Sequence, residues 1–171
     1  MKPKEIAEIA VVLDDMRSAH NVGSAFRTAD AAGVSHLYLC GTTPTPVDRF
    51  GRPRADIAKV ALGAEKTVPW SHAITTALAL AALKRKKFFI VAIEQSKHSV
   101  DYKKLKLPKG RTDRPVRIAF VFGNEVGGIA PALLARRRLI DAIAEIPMRG
   151  QKESLNVSVA LGVALFRMLN I

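Results

Sequence analysis

A single cysteine, Cys40, stands among the 171 residues. One thiol excludes an intramolecular disulfide framework and any multi-cysteine zinc site. Long apolar runs are also missing. The longest is Ala77–Leu83, against the roughly 18 residues needed to cross a bilayer. The start, Met1-Lys2-Pro3-Lys4-Glu5, has no apolar signal stretch behind it, so a cytoplasmic location is expected. No internal repeat or low-complexity tract occurs. Acid is the scarce charge. Lys and Arg number 27 against 15 Asp and Glu, a net charge of +12. Such a field attracts polyanions, with nucleic acid the first to consider.

What remains is an ordinary globular mix, 49% apolar and 25% charged, which rules out a largely disordered chain. The length suits one domain and buries roughly 70% of the unfolded surface. The positive charge is uneven. Residues 84–117 carry twelve bases against three acids, Glu94, Asp101 and Asp113. They are either a phosphate-binding surface or lysines that merely keep the protein soluble.

Apolar runs alternate with helix-length segments. Strands are expected at 9–13, 36–40, 88–93, 116–122 and 142–146. Helices are expected at about 22–32, closed by Gly33, at 71–84 with Ser71 as N-cap, at 131–137 and at 154–170. Strands apolar throughout and separated by helices indicate a parallel sheet covered on both faces. Two long loops, 41–54 and 103–115, carry prolines and basic residues and suggest function. The last helix is apolar nearly all round. It is either a central core helix or one covered partly by a second subunit.

Three polar or glycine-rich segments follow strands, where open parallel sheets bind ligands. The first is His20-Asn21-Val22-Gly23-Ser24-Ala25-Phe26-Arg27. Here Asn21 caps a helix or holds a ligand, and Arg27 is either functional or paired with Asp30. The second is Phe122-Gly123-Asn124-Glu125-Val126-Gly127-Gly128. Its glycines permit backbone to wrap a ligand, and Glu125 suits a hydroxyl or a cation. It is neither G-x-G-x-x-G nor a Walker loop, which argues against a nicotinamide-dependent oxidoreductase. The third runs from Ile146 to Ser158. Ser154 is placed to cap the last helix, whose first N–H groups form an anion site, and Asn156 offers both donor and acceptor.

In this order, the three segments resemble the signature motifs of the SpoU/TrmH family of RNA methyltransferases, within the SPOUT superfamily. Asn21, Gly23 and Arg27 match the first motif, Asn-x-Gly-x-x-x-Arg. Gly123, Glu125 and Gly128 match the second, Gly-x-Glu-x-x-Gly. Ile146–Gly150 and Ser154–Ser158 match the third. The resemblance spans about Ile9 to Leu169.

The resemblance implies a Rossmann-like parallel α/β sheet with a deep C-terminal trefoil knot. It implies one SpoU/TrmH-type methyltransferase domain over 1–171, with no separate RNA-binding extension, working as a homodimer. The implied cofactor is S-adenosyl-L-methionine, held by Ala92, Ile93, Gly123, Asn124, Ile146, Met148, Ser154, Leu155 and Asn156. The implied reaction methylates a ribose 2′-hydroxyl, of transfer RNA in preference to ribosomal RNA. A catalytically silent RNA-binding module of the same fold is the non-enzyme reading. Arg27 is expected to be essential, as base or as electrostatic clamp, with Asn21, Glu125, Ser154 and Asn156 orienting it and the ribose. Neither a metal nor a membrane is implied. The 84–117 bases would contact phosphates, and Arg49, Arg52 and Arg54 would do so across a dimer.

Overall fold

A computed structural model describes residues 6–110 and 115–171, apart from the Ala7 side chain. Arg111, Asp113 and Arg114 of the basic region lie outside the described residues. The chain runs β1 (Ile6–Asp14), α1 (Ala19–Ala31), β2 (His36–Cys40), α2 (Ala55–Ala61), α3 (Ala64–Thr67), β3 (Trp70–Ala73) and α4 (Thr76–Arg85). It continues through β4 (Phe88–Ile93), β5 (Val100–Asp101), β6 (Val116–Phe122), α5 (Pro131–Leu134), β7 (Ala142–Glu145) and α6 (Val157–Leu169). All seven strands join one sheet in the order β3-β2-β1-β6-β4-β7-β5. Every pairing is parallel.

Side-chain alternation along the strands builds two buried layers. Val11 and Leu13 of β1, with Ile118, Phe120 and Phe122 of β6, pack toward α1 and α6. Ala10 and Val12, with Ala119 and Val121, face α4. The bulkier set lies on the α1 side. Small residues, Ala10, Ala92 and Ala119, line the α4 side.

Helix caps differ from expectation by a few residues. Ser18 caps α1 and accepts from the Asn21 N–H, so Asn21 sits inside the first turn. Ser71 belongs to β3, paired with Tyr38 of β2, and Thr75 caps α4 by accepting from Leu78 N. Asn156 caps α6 by accepting from Ser158 N, in place of Ser154. In each case two capping-competent residues stand within four positions, and tertiary pairing chooses between them. Gly33 does follow the end of α1 with φ of +68°.

All strands end at one edge of the sheet. That edge carries the loops after β1, β2, β4, β6 and β7, and hence all three motif segments. The chain leaves β7 there and returns in α6 against α1, a path consistent with a threaded C-terminal segment.

Candidate functional site

Two glycines shape the loop after β6. A side chain on Gly123 would overlap the main chain of Gly128. Gly128 has φ of +59°, and a side chain there would overlap the Glu94 carboxylate. Only glycine permits this approach. The Asn124 and Gly128 main chains bond reciprocally, with Gly128 N–H donating to Asn124 O at 3.1 Å and Asn124 N–H to Gly128 O at 3.2 Å. The Asn124 side chain closes the turn, accepting from Val126 N at 2.9 Å and Gly127 N at 2.6 Å.

Glu125 then ties this loop to α1. Its carboxylate accepts from Arg17 N and Ser18 N, both at 3.0 Å. It also accepts from Asn21 Nδ2 at 2.8 Å. Asn21 Oδ1 accepts in turn from Asn156 Nδ2 at 3.2 Å. Asn156 Oδ1 accepts from Ser158 N and Ser158 Oγ. One chain of hydrogen bonds therefore joins all three motif segments, the first of which lies over a hundred positions before the other two. Partial burial works to raise the Glu125 carboxyl, but the bonds from Arg17, Asn21 and Ser18 outweigh it and hold the group below the usual carboxylate range.

Beside this junction lies a cleft of about 510 Å³. Ile93, Phe122, Ile146 and Leu155 provide apolar wall, the 123–128 loop provides backbone, and Glu145, Glu153, Ser154 and Asn156 provide polar groups. Gly123, Asn124, Glu125 and Met148 line it as well. The volume and the mixture suit a drug-sized ligand with an apolar body and a few polar anchors. An adenosine joined to an amino acid is of that kind. The glycine-rich loop leaves main-chain groups uncovered by side chains, and Ser154 and Leu155 are exposed at the rim. The residues present fit S-adenosyl-L-methionine.

Two expectations differ from what the structure places, the cleft position of Ala92 and the bonding of Asn21 and Glu125 to Arg27. Ala92 is fully buried on the α4 side of the sheet and does not line the cleft. Adjacent strand residues face opposite ways, so Ala92 and Ile93 serve different sides. Glu125 and Asn21 bond each other and main chain, Asn21 also bonds Asn156, and among the described residues neither bonds Arg27. Arg27 is exposed and is not a cleft residue. It lies six positions beyond Asn21, about 9 Å of helix rise. No ion pair joins Arg27 to Asp30 among the described residues. The Asp30 carboxylate accepts instead from Thr67 Oγ1.

The sequence reading missed Glu94 and Gln95. Glu94 Oε2 accepts from Ile129 N at 2.7 Å and its Oε1 from Gln95 N at 2.8 Å, so β4 braces the far end of the glycine loop. Gln95 Nε2 donates to Glu153 O at 2.6 Å and braces the approach to α6. The available signal was an acid placed directly after a buried strand.

The basic region does not form one patch. Lys84, Arg85, Lys86, Lys87 and Arg117 sit where β4 and β6 begin, at the edge opposite the cleft. Lys84 pairs with Asp141, and Arg117 with Glu8. Lys97, Lys103 and Lys104 lie at the cleft edge, around β5, and are exposed.

Fold and site together define an α/β protein whose glycine-rich loop and helix start frame a small-molecule cleft at the carboxyl edge of a parallel sheet. Residues 8–166 match the SpoU rRNA Methylase family, and the chain belongs to it. It is 34% identical over 159 residues to the 23S rRNA (guanosine-2'-O-)-methyltransferase RlmB of Vibrio cholerae, covering 92% of this chain and 57% of that protein. The chain thus spans a little over half the length of such relatives. Among solved structures it resembles an AdoMet-bound rRNA methyltransferase from Sinorhizobium meliloti, with TM-score 0.78, 30% identity and coverage of 98% of this chain and 57% of that one. It also resembles the A. aeolicus TrmH/SpoU tRNA modifying enzyme, with TM-score 0.76, 28% identity and coverage of 97% and 76%.

Proposed function

We propose that this chain is an S-adenosyl-L-methionine-dependent RNA methyltransferase that modifies a ribose 2′-hydroxyl, with ribosomal RNA as substrate class. The observation that carries the proposal is the hydrogen-bonded junction Glu125–Asn21–Asn156 at the wall of the cleft. The rRNA methyltransferases among the relatives favour ribosomal RNA over the transfer RNA expected from the sequence. Transfer RNA is the second reading. It is favoured by a structure described as giving insights into 2-OH methylation of C/U34 on tRNA, which is 25% identical with TM-score 0.72 and matches nearly end to end, at 95% of this chain and 97% of that one.

When bound, S-adenosyl-L-methionine supplies a methyl group already activated by a sulfonium. The chain's part is to position and to exclude water. Ile93, Phe122, Ile146 and Leu155 would line the adenosine site, and the 123–128 main chain and Ser154 would offer it polar partners. Asn21 and Asn156 hold each other rather than Arg27, so the ribose meets a fixed amide surface. Arg27, exposed outside the cleft, acts as a guanidinium clamp on a phosphate of the bound RNA.

The enzyme works in the cytoplasm as a homodimer. Val159 and Phe166 of α6 are 51% and 40% exposed, and a second copy would cover them.

The test is methyl transfer from tritiated S-adenosyl-L-methionine to ribosomal RNA and, separately, to transfer RNA. Label that protects one linkage from alkali, as a ribose methyl does, supports the proposal. Label in transfer RNA alone selects the second reading. Label on a base, or none in either RNA, overturns it.

A further inference from the structure

The loop between β2 and α2 carries an exposed aromatic ring with two cations close to it. Phe50 is 65% exposed. The Arg49 guanidinium lies 4.7 Å from its ring centroid and that of Arg52 lies 5.0 Å away. An exposed phenylalanine has no reason to be ordered by burial. Asp48 orders this one. Its Oδ1 accepts from Phe50 N at 2.8 Å and Arg52 N at 2.9 Å, and its Oδ2 from Arg52 Nε at 2.8 Å. Gly51 N–H donates to Asp48 O at 2.9 Å, and Val47 bridges Pro53 across the neck. The three N–H donors hold the Asp48 carboxyl below its ordinary value, so the brace persists at neutral pH.

The base of this finger is fixed to the site. Thr43 Oγ1 accepts from Met16 N at 3.0 Å, and Asp15 Oδ1 accepts from Thr42 N at 2.8 Å. The next residues along that same β1–α1 loop, Arg17 and Ser18, donate to Glu125. In the sheet β2 stands two strands from β6, so the loop leaves the cleft edge about 10 Å from the glycine loop.

From this geometry we infer that Phe50 is a stacking platform for an unpaired nucleobase of the RNA substrate, with Arg49 and Arg52 neutralising the adjoining phosphates. The inference rests on the RNA-directed reading above. A flat apolar ring flanked by guanidinium groups matches a base followed by its backbone, the pairing that single-strand binders use. A purely electrostatic loop would not need the ring, and a purely apolar contact would not need two arginines beside it.

Binding of a fluorescein-labelled mixed-sequence single-stranded RNA, read by anisotropy over a salt series, tests this. Phe50→Ala and Phe50→Leu should each weaken binding about tenfold, as loss of one stacked base does, with the slope of log K against log salt unchanged. Phe50→Trp should restore binding, and its fluorescence, in a Trp70→Phe background, should be quenched by the RNA. Arg49→Gln, which leaves the Asp48–Arg52 brace intact, should instead flatten the slope by about 0.7, the loss of one phosphate contact. Equal affinity for wild type, Ala and Leu variants would overturn the inference. So would a Phe50→Ala effect confined to the oligomeric state, which would make the finger a protein contact. Failure of the wild type to methylate any RNA, with stacking intact, would count against the proposed activity and leave the platform standing.

Discussion

Replacing Glu125 by alanine removes the acceptor on which the three motif segments converge. Three donors lose their partner, two of them main-chain N–H groups. Hydrogen bonds to a charged group contribute about 1.5–3 kcal/mol each. Solvent on the open side of this carboxylate screens them, so the docked loop should lose about 2 kcal/mol in all. For a chain of this size that lowers the thermal midpoint by about 4–8 °C, at about 2–4 °C per kcal/mol. The cleft wall includes the same loop, so affinity for the methyl donor falls with the docked fraction, by about tenfold. Glu125→Gln keeps the volume and one acceptor oxygen but sets an NH₂ against a main-chain donor, and should fall between the two. The sign with pH follows from the lowered carboxyl. Its stabilisation is fully present above the ordinary carboxylate value of about 4.3 and is lost as pH falls through the lower folded value. Scanning calorimetry and donor titration between pH 3.5 and 7 read both effects. A Glu125→Ala protein with the wild-type midpoint and donor affinity would refute the assignment of this carboxylate as the lock.

Further outcomes follow from other parts of the site. Gly128→Ala should cost donor affinity more than stability, because the new methyl displaces Glu94 from the glycine loop, and isothermal titration beside a thermal melt separates the two. Arg27→Ala should abolish methyl transfer while leaving donor affinity within about twofold, and a parallel loss of donor binding would contradict its role outside the cleft. Neutralising Lys97, Lys103 and Lys104 should flatten the salt dependence of RNA binding, by about 0.7 per lost phosphate contact. Neutralising Lys86 and Lys87, at the opposite edge, should leave that slope unchanged. Cys40 is buried with its thiol pushed up to about 12 by that burial, so iodoacetamide at pH 8 should label it only after unfolding, as mass spectrometry would show.

The legible part of the fold is its buried framework. β1, β4 and β6 contain apolar runs because both sheet faces are covered there, and these three, with β2 and β7, lie close to where the pattern puts them. β3, Trp70-Ser71-His72-Ala73, has no such run. It lies at the sheet margin, half-buried, and Ser71 resembles a helix cap. β5 is two residues long and is defined by pairing with β7 alone. The short helices α2 and α3 occupy 55–67, a stretch to which the sequence pattern assigns no element. Gly23 shows why α2 had to be there: a side chain on it would come within 2.8 Å of Ile57 O and Val60 Cβ.

The site is legible as three segments but not as a mechanism of assembly. Spacing cannot show that Glu125 reaches Asn21, because 104 positions separate them. It draws attention to Arg27 as the centre of a cluster, whereas the carboxylate and the two asparagines form that centre themselves. Residue type alone also hides Glu94 and Gln95, whose work is to brace loops rather than to meet a substrate. The basic stretch misleads for a topological reason. Neighbours in sequence at 84–87 and 97–104 are carried by β4 to opposite edges of the sheet.

The most direct measurement is calorimetric titration of the purified protein with S-adenosyl-L-methionine and with S-adenosyl-L-homocysteine. The account predicts one saturable site per chain in the micromolar range, about −8 kcal/mol, weakened by Glu125→Ala and untouched by Arg27→Ala. No binding of either compound, with or without ribosomal RNA present, would contradict the claim that the junction of the three segments builds a methyl-donor cleft.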